Sequence, residues 1–262
     1  MSILIASCQA PEYTKDLDAA LAYVVQAATQ AHGQGAKLLC FPEAYLQGYL
    51  RTQAEVESHA LDLNSKAFES ILVRLSHIKT VLVIGLIEVD KGDFYNTAVV
   101  IQEGTLLGCY RKTHLLRSES IFKPGTEQPV FTIEGLHFGI NICNDLNYSV
   151  TVSAYASKGI DLLVCPCQNM LPIEVAETWR NQHHISRAKR AKENRIWLLS
   201  ADVTGLKKGY IPYGPTSVIS PKGSLVKQYP LFEEGILYYT LNVLAGQKGN
   251  EGVNSAQKKS RL

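Results

Sequence analysis

Three features of the sequence predict an α/β chain built on two mixed β-sheets. Short apolar, β-branched runs recur at residues 3–8, 37–41, 81–89, 97–102, 106–110, 138–143, 162–165, 196–201, 217–220 and 237–241. Longer stretches with apolar residues at helical spacing lie between several of them. Turn signals at Lys91-Gly92-Asp93, Glu103-Gly104 and Pro221-Lys222-Gly223 join neighbouring runs by hairpins, so the sheets cannot be purely parallel. Helices layered on sheets are the stable way to bury such elements, and a length of 262 residues suits one large domain. No Pro/Ser-rich linker or internal repeat divides the chain, so residues 1–244 are expected to form a single domain.

Taken in order, the run at 3–8 leads into a helix on which Leu17, Leu21, Val24, Val25 and Ala28 share a face, ended by Gly33 and Gly35. The run at 37–41 follows, and 67–78 reads as a second helix before the strand at 81–89. The runs at 97–102 and 106–110 meet at a hairpin. The strand at 138–143 passes through a turn into a helix at 152–158, with Ser149 expected as its N-cap. A strand at 162–165 precedes a long helix at 174–194, which opens after Pro172. The last strands follow. Residues 245–262 are rich in Gly, Gln and Lys and poor in apolar side chains, so they read as a polar tail, solvated or packed over a partner subunit.

Composition excludes several classes. Hydrophobic residues make up 46% and charged residues 19%, the balance of a soluble globular chain. Lys and Arg number 26 against 24 Asp and Glu, a net charge of +2, far from the basic excess of a nucleic-acid binder. No apolar run reaches the roughly 18 residues of a membrane span, and Met1-Ser2-Ile3-Leu4 lacks the basic start of a signal peptide. The expected compartment is the cytoplasm, where the six cysteines would be free thiols. Cys8, Cys40 and Cys109 lie in apolar runs and read as buried. Cys165-Pro166-Cys167 is too tightly spaced for a zinc site, and the adjacent His183 and His184 point to different sides of a helix, so no metal is expected.

Three strand ends each deliver one reactive side chain. Glu43 follows Leu39-Cys40-Phe41-Pro42, where the proline ends the strand. Lys112 follows Gly108-Cys109-Tyr110-Arg111, and Cys143 closes Gly139-Ile140-Asn141-Ile142. Singly each has a bland reading: a surface carboxylate, a surface lysine, a buried thiol. Together they form a sufficient set for hydrolysing an amide or a nitrile. A thiol with a pKa of about 8.5 needs a base to attack at neutral pH. A carboxylate can take that proton and later give it to a leaving amine. A nearby ammonium favours the thiolate and stabilises an oxyanion, to which the backbone N–H of Asn144 is placed to donate.

These residues carry a resemblance to the nitrilase superfamily, the carbon–nitrogen hydrolases with a Glu-Lys-Cys triad. Phe41-Pro42-Glu43 with Gly48-Tyr49, Tyr110-Arg111-Lys112-Thr113-His114-Leu115, and Gly139-Ile140-Asn141-Ile142-Cys143-Asn144-Asp145 resemble its three triad blocks. Supporting matches run from Gln9 through Asn96-Thr97-Ala98, Phe122-Lys123-Pro124-Gly125 and residues 187–194 to residues 217–223. The resemblance implies a four-layer α-β-β-α sandwich that assembles as a homodimer or a higher even-numbered homo-oligomer. It implies Cys143 as nucleophile, Glu43 as base, Lys112 as oxyanion stabiliser and Glu119 as a second glutamate that positions the lysine or the attacking water. No metal or organic cofactor is implied. Tyr148 departs from the family, standing where a proline is usual beside the nucleophile, and so bears on pocket shape.

Tyr49, Tyr148, Gln168 and the Asn144 N–H are candidate substrate contacts, with Asn169 and Trp179 also near the expected mouth. Arg117 and Arg180 are candidates for binding a substrate carboxylate, while His114 and His183 fit equally as polar groups at the core's edge. The expected partner is a small-molecule amide: an ω-amide, an N-carbamoyl compound or an aliphatic amide. Nitrile hydrolysis by the same triad, or a non-catalytic binding protein on the same fold, are the alternatives. A glutaminase module feeding a synthetase is disfavoured, because no phosphate-binding glycine loop follows.

Overall fold

The computed structural model describes residues 2–205 and 208–242, apart from the side chains of Arg180 and Asn181. The tail expected at 245–262, and the part considered for Arg180, therefore lie outside the described residues. The chain has a mixed α/β fold organised around β1 (Ser2–Pro11). This strand pairs in parallel with β2 (Leu38–Cys40) and antiparallel with β14 (Gly235–Asn242). At its far end Gln9, Ala10 and Pro11 pair in parallel with Asp202, Val203 and Thr204 of β10 (Trp197–Thr204). That short junction joins two halves into one curled, twelve-stranded sheet.

One half continues from β2 through β3 (Val81–Asp90) and β4 (Asp93–Gln102) to β5 (Thr105–Arg111). The other runs from β10 through β8 (Leu162–Pro166) and β7 (Leu136–Ile140) to β6 (Phe131–Ile133), with β12 (Ser217–Ile219) and β13 (Leu225–Gln228) beyond β10. A separate ribbon pairs β9 (Met170–Pro172) with β11 (Tyr210–Pro212).

Strand alternation sorts the core side chains by face. Ala6, Cys8, Leu39 and Leu82 pack with Leu21 and Val24 of α1 (Leu17–Gly33) and with Phe68 and Ile71 of α3 (Lys66–Arg74). Ile3, Ile5, Leu38 and Val83, from the alternate positions, pack instead on Phe138, Ile140, Leu162 and Leu199 of the other half. On the outer side of that half, Leu163, Cys165 and Leu198 meet Val152 and Tyr155 of α4 (Ser149–Ser157) and Ala191 of α5 (Ile173–Asn194). No helix among the described residues is long and apolar enough to cross a membrane.

Several boundaries differ from the sequence reading. The second helix stops at Arg74, although Leu75 and Ile78 stay buried, so burial continues the apolar pattern after the helix has ended. α2 (Gln53–His59) had no apolar stripe to announce it, yet it begins at a capping box between Thr52 and Glu55. Ser149 is the first residue of α4 and not its cap; Tyr148 takes that position, with no side-chain hydrogen bond. Cys109 is half-buried, unlike Cys8 and Cys40.

Candidate active site

The loop after β2 holds Glu43 inside the protein. Its N–H donates to the Cys167 carbonyl oxygen at 3.2 Å, and Gly85 of β3 lies so close that a Cβ there would overlap the backbone of Pro42, Glu43 and Ala44. Lys112 follows β5, donating its N–H to the Asn96 carbonyl oxygen and accepting the Gly125 N–H, both at 2.8 Å. Gly125 sits against the Arg111 backbone where no side chain fits, which explains the glycine of the Phe-Lys-Pro-Gly turn. β7 ends at Ile140, and Cys143 opens a 3-10 turn over Cys143–Asn147 with φ +44°, a left-handed conformation that non-glycine residues adopt mainly where surroundings enforce it.

Asp145 supplies that enforcement. Its buried carboxylate accepts the Ile142 N–H at 2.9 Å within the turn. It also accepts the N–H groups of Thr113 at 3.2 Å and His114 at 2.7 Å, the Thr113 hydroxyl at 3.0 Å and the Tyr110 hydroxyl at 2.8 Å. One side chain thus fastens the turn of Cys143 to the loop of Lys112. The sequence offered Asp145 only as part of a motif; its partners come from a loop about thirty residues earlier.

The charged centre is compact. Lys112 Nζ donates to Glu43 Oε1 at 2.6 Å and to Glu119 Oε1 at 2.8 Å, all three side chains buried. Asn96 Nδ2 bridges the same oxygens at 2.8 and 3.1 Å. Asn96 belonged to a supporting match and carried no assigned role. Glu119 also accepts the Tyr49 hydroxyl at 2.6 Å and, on Oε2, the Leu116 N–H at 2.6 Å. Burial pushes the Glu43 carboxyl up to about 7, with Lys112 opposing and Glu119 reinforcing the shift. Lys112 loses hydration on burial, but the carboxylates of Glu43 and Glu119 hold it charged, above its ordinary value.

Cys143 is half-buried and opens into a cavity of about 400 Å³. Its hydrogen bond with the Cys167 thiol, burial and the charge of Glu43 together raise its pKa well above the ordinary thiol value, outweighing Lys112. Lys112 lowers the thiol as expected, but Cys167, burial and Glu43 outweigh it, so the thiol needs a base to lose its proton, and the adjacent carboxyl is poised near neutrality.

Tyr49, Asn144, Gln168, Asn169 and Trp179 line the cavity. Tyr49 does so while its hydroxyl is engaged by Glu119. The Asn144 side chain donates to the His114 carbonyl oxygen at 3.0 Å, and its backbone N–H lies in the first turn of the 3-10 segment, where N–H groups lack intrahelical acceptors. Gln168 donates to Glu12 at 2.6 Å. Tyr148 stands apart from the lining, stacked on His114 with ring centroids 3.8 Å apart. Arg117 is exposed and also outside it. The structure brings instead Arg51, between the Tyr49 and Tyr210 rings at 5.7 and 5.5 Å, and buried Arg187, already paired with Asp202 at 3.3 Å. Burial and the neighbouring Arg187 push His183 down to about 3, so it is neutral at physiological pH. Among the described residues, no group of three His, Cys, Asp or Glu side chains is arranged to hold a metal ion.

A thiol and an N–H donor on the cavity wall, with a buried carboxyl and a buried ammonium next to the thiol, are equipped for acyl transfer with general acid–base assistance. Comparisons with known proteins identify the class. The carbon-nitrogen hydrolase family model matches residues 4–247, and the chain belongs to that family, within the nitrilase superfamily.

Its relatives include an (R)-stereoselective amidase of Pseudomonas sp., 30% identical over 76% of this chain and 69% of the amidase. A glutamine-dependent NAD(+) synthetase of Thermotoga maritima is 26% identical over 87% of this chain, which spans only 40% of that protein's length. Among solved structures, a mutant of the amidase from Nesterenkonia sp. AN1 superposes with a TM-score of 0.77, at 26% identity over 93% of this chain and 94% of the amidase. That amidase structure carries the product of Michael addition of acrylamide at its active-site cysteine.

Proposed function

We propose that the enzyme hydrolyses a small-molecule amide through a thioester on Cys143. The observation that carries this reading is the buried Lys112, held between Glu43 and Glu119 beside the only cavity-facing thiol that opens a strained turn among the described residues. As substrate enters, Glu43 takes the Cys143 proton and the sulfur attacks the amide carbon. Lys112 and the Asn144 N–H stabilise the oxyanion, and Glu43 returns the proton to the departing nitrogen, releasing ammonia or an amine. Glu43 then deprotonates a water that attacks the thioester, and the acid departs as Cys143 recovers its proton. Glu119 holds Lys112 in place throughout.

Arg51 supports an acyl group that carries a carboxylate. It lines the cavity, has no ion-pair partner among the described residues, and is steadied by two tyrosine rings. Among the described residues, no acidic side chain lines that cavity to compete for it. This favours an ω-amide over a simple aliphatic amide within the reading. The three sorted core clusters support a four-layer α-β-β-α sandwich for residues 1–244, and we take the enzyme to work in the cytoplasm as an even-numbered homo-oligomer.

Ammonia release from a panel of ω-amides, N-carbamoyl compounds, aliphatic amides and nitriles, with Cys143→Ala alongside, tests the reading. Release that depends on Cys143 and is greatest for carboxylate-bearing amides is expected. Release from nitriles alone, or release retained by Cys143→Ala, would overturn it.

A further inference from the structure

The Cys165-Pro166-Cys167 segment takes no part in the hydrolysis above, yet it places a second thiol beside the nucleophile. Cys167 lines the same cavity as Cys143, and Cys143 packs against the buried cluster that contains Cys167, where each thiol perturbs the other's titration. Its backbone is fixed by a bond from its N–H to the Ala201 carbonyl oxygen at 2.8 Å, while its own carbonyl accepts the Glu43 N–H at 3.2 Å. The Arg187 guanidinium lies 3.4 Å from its sulfur, a permanent positive charge beside a thiol. Cys165 is different. Its sulfur is 3.5 Å from that of Cys167 and both lie in the same apolar cluster, but Cys165 does not line the cavity.

We propose that Cys143 and Cys167 form a reversible disulfide when a hydroperoxide enters the cavity, with Cys167 as the resolving thiol. The Cys143 thiol reacts with hydrogen peroxide to give a sulfenic acid and one water. The Cys167 sulfur then attacks the Cys143 sulfur, the S–O bond breaks, and a second water leaves with the Cys167 proton. Two thiols have lost two electrons and the peroxide has become two waters. Cys165 and burial hold the Cys167 thiol above its ordinary value, and the Arg187 guanidinium at 3.4 Å opposes that shift and stabilises the sulfur as its proton leaves. The disulfide halts turnover, because Cys143 is its acylation site in the reading above. It also protects Cys143 from sulfinic and sulfonic acids, which a dithiol does not reverse. Reduction by a dithiol restores both thiols.

Peptide mass mapping tests this without reference to any substrate, so it stands or falls separately from the amidase reading. Wild-type protein is treated with hydrogen peroxide, alkylated with iodoacetamide and digested. A linked peptide pair joining Cys143 to Cys167 is expected, and dithiothreitol before alkylation should abolish it and restore carbamidomethylation of Cys143. In Cys167→Ser the same treatment should leave Cys143 as sulfinic or sulfonic acid, and recovery of its labelling should fall several-fold. Cys165→Ser should behave as wild type. Cys143 unlinked to Cys167 after peroxide, a Cys165–Cys167 link in its place, or full recovery of Cys143 labelling in Cys167→Ser would each overturn the proposal.

Discussion

The Asp145 carboxylate accepts the His114 N–H at 2.7 Å, and through this contact the turn of the nucleophile is held against the loop of the lysine. Four further donors converge on the same carboxylate from Tyr110, Thr113 and Ile142. Asp145→Ala would take this acceptor from the N–H groups of Ile142, Thr113 and His114, at about 1–3 kcal/mol for each group left unsatisfied. Chemical denaturation should register a loss of at least about 3 kcal/mol on that basis. A midpoint unchanged from wild type would mean that the two loops are held by other contacts.

Glu43 sets the pH dependence. An ordinary carboxyl is ionised well below neutrality, whereas burial brings this one to about 7. Below that pH it is protonated and unable to accept the thiol proton; above it the base is free. Both kcat/KM and the rate of Cys143 alkylation should therefore rise about tenfold per pH unit on the acid side and level off above neutrality. The sign for stability is opposite. The folded state binds the proton more tightly than the unfolded chain, so wild type should lose stability relative to Glu43→Gln as pH rises from about 5 to about 8. Denaturation midpoints of the two proteins across that range check it.

Glu119 engages Lys112, Asn96, Tyr49 and the Leu116 N–H at once. Glu119→Gln keeps the shape but brings an amide N–H where an acceptor is needed. The fold should persist, by circular dichroism, while kcat falls about 100-fold from misplacement of the ammonium. Turnover at the wild-type rate would remove Glu119 from the mechanism.

Arg51 offers a discriminating pair of measurements. A charged hydrogen bond is worth about 1.5–3 kcal/mol, or about 10- to 150-fold in rate. Arg51→Ala should lower kcat/KM for a carboxylate-bearing amide by about that factor and leave an uncharged amide of equal length unaffected. Equal effects on both would locate the carboxylate elsewhere or show that the substrate carries none.

The reactive residues were legible because each ends a strand whose apolar run is itself legible: Cys40 before Glu43, Tyr110 before Lys112, Ile140 before Cys143. Short loops keep such residues close to the sheet edge. What escaped was whatever depends on pairing between distant segments. β6, β9, β11 and β13 span only three or four residues, and their identity comes from a partner strand more than from their own pattern. Arg51 escaped for a related reason: nothing near it in sequence shows that Tyr210 folds back to flank it. Lys112 illustrates the converse limit. Its type, place and downward pull on the thiol were readable, but the net shift was not, because Cys167, burial and Glu43 outweigh it.

Acid quenching during steady-state turnover, followed by intact-mass analysis and peptide mapping, tests the thioester most directly. An adduct of the acyl mass confined to Cys143 is expected, absent from Cys143→Ala and removed by hydroxylamine. Ammonia released at the full rate by wild type and Cys143→Ala alike, with no acyl adduct on Cys143, would contradict it.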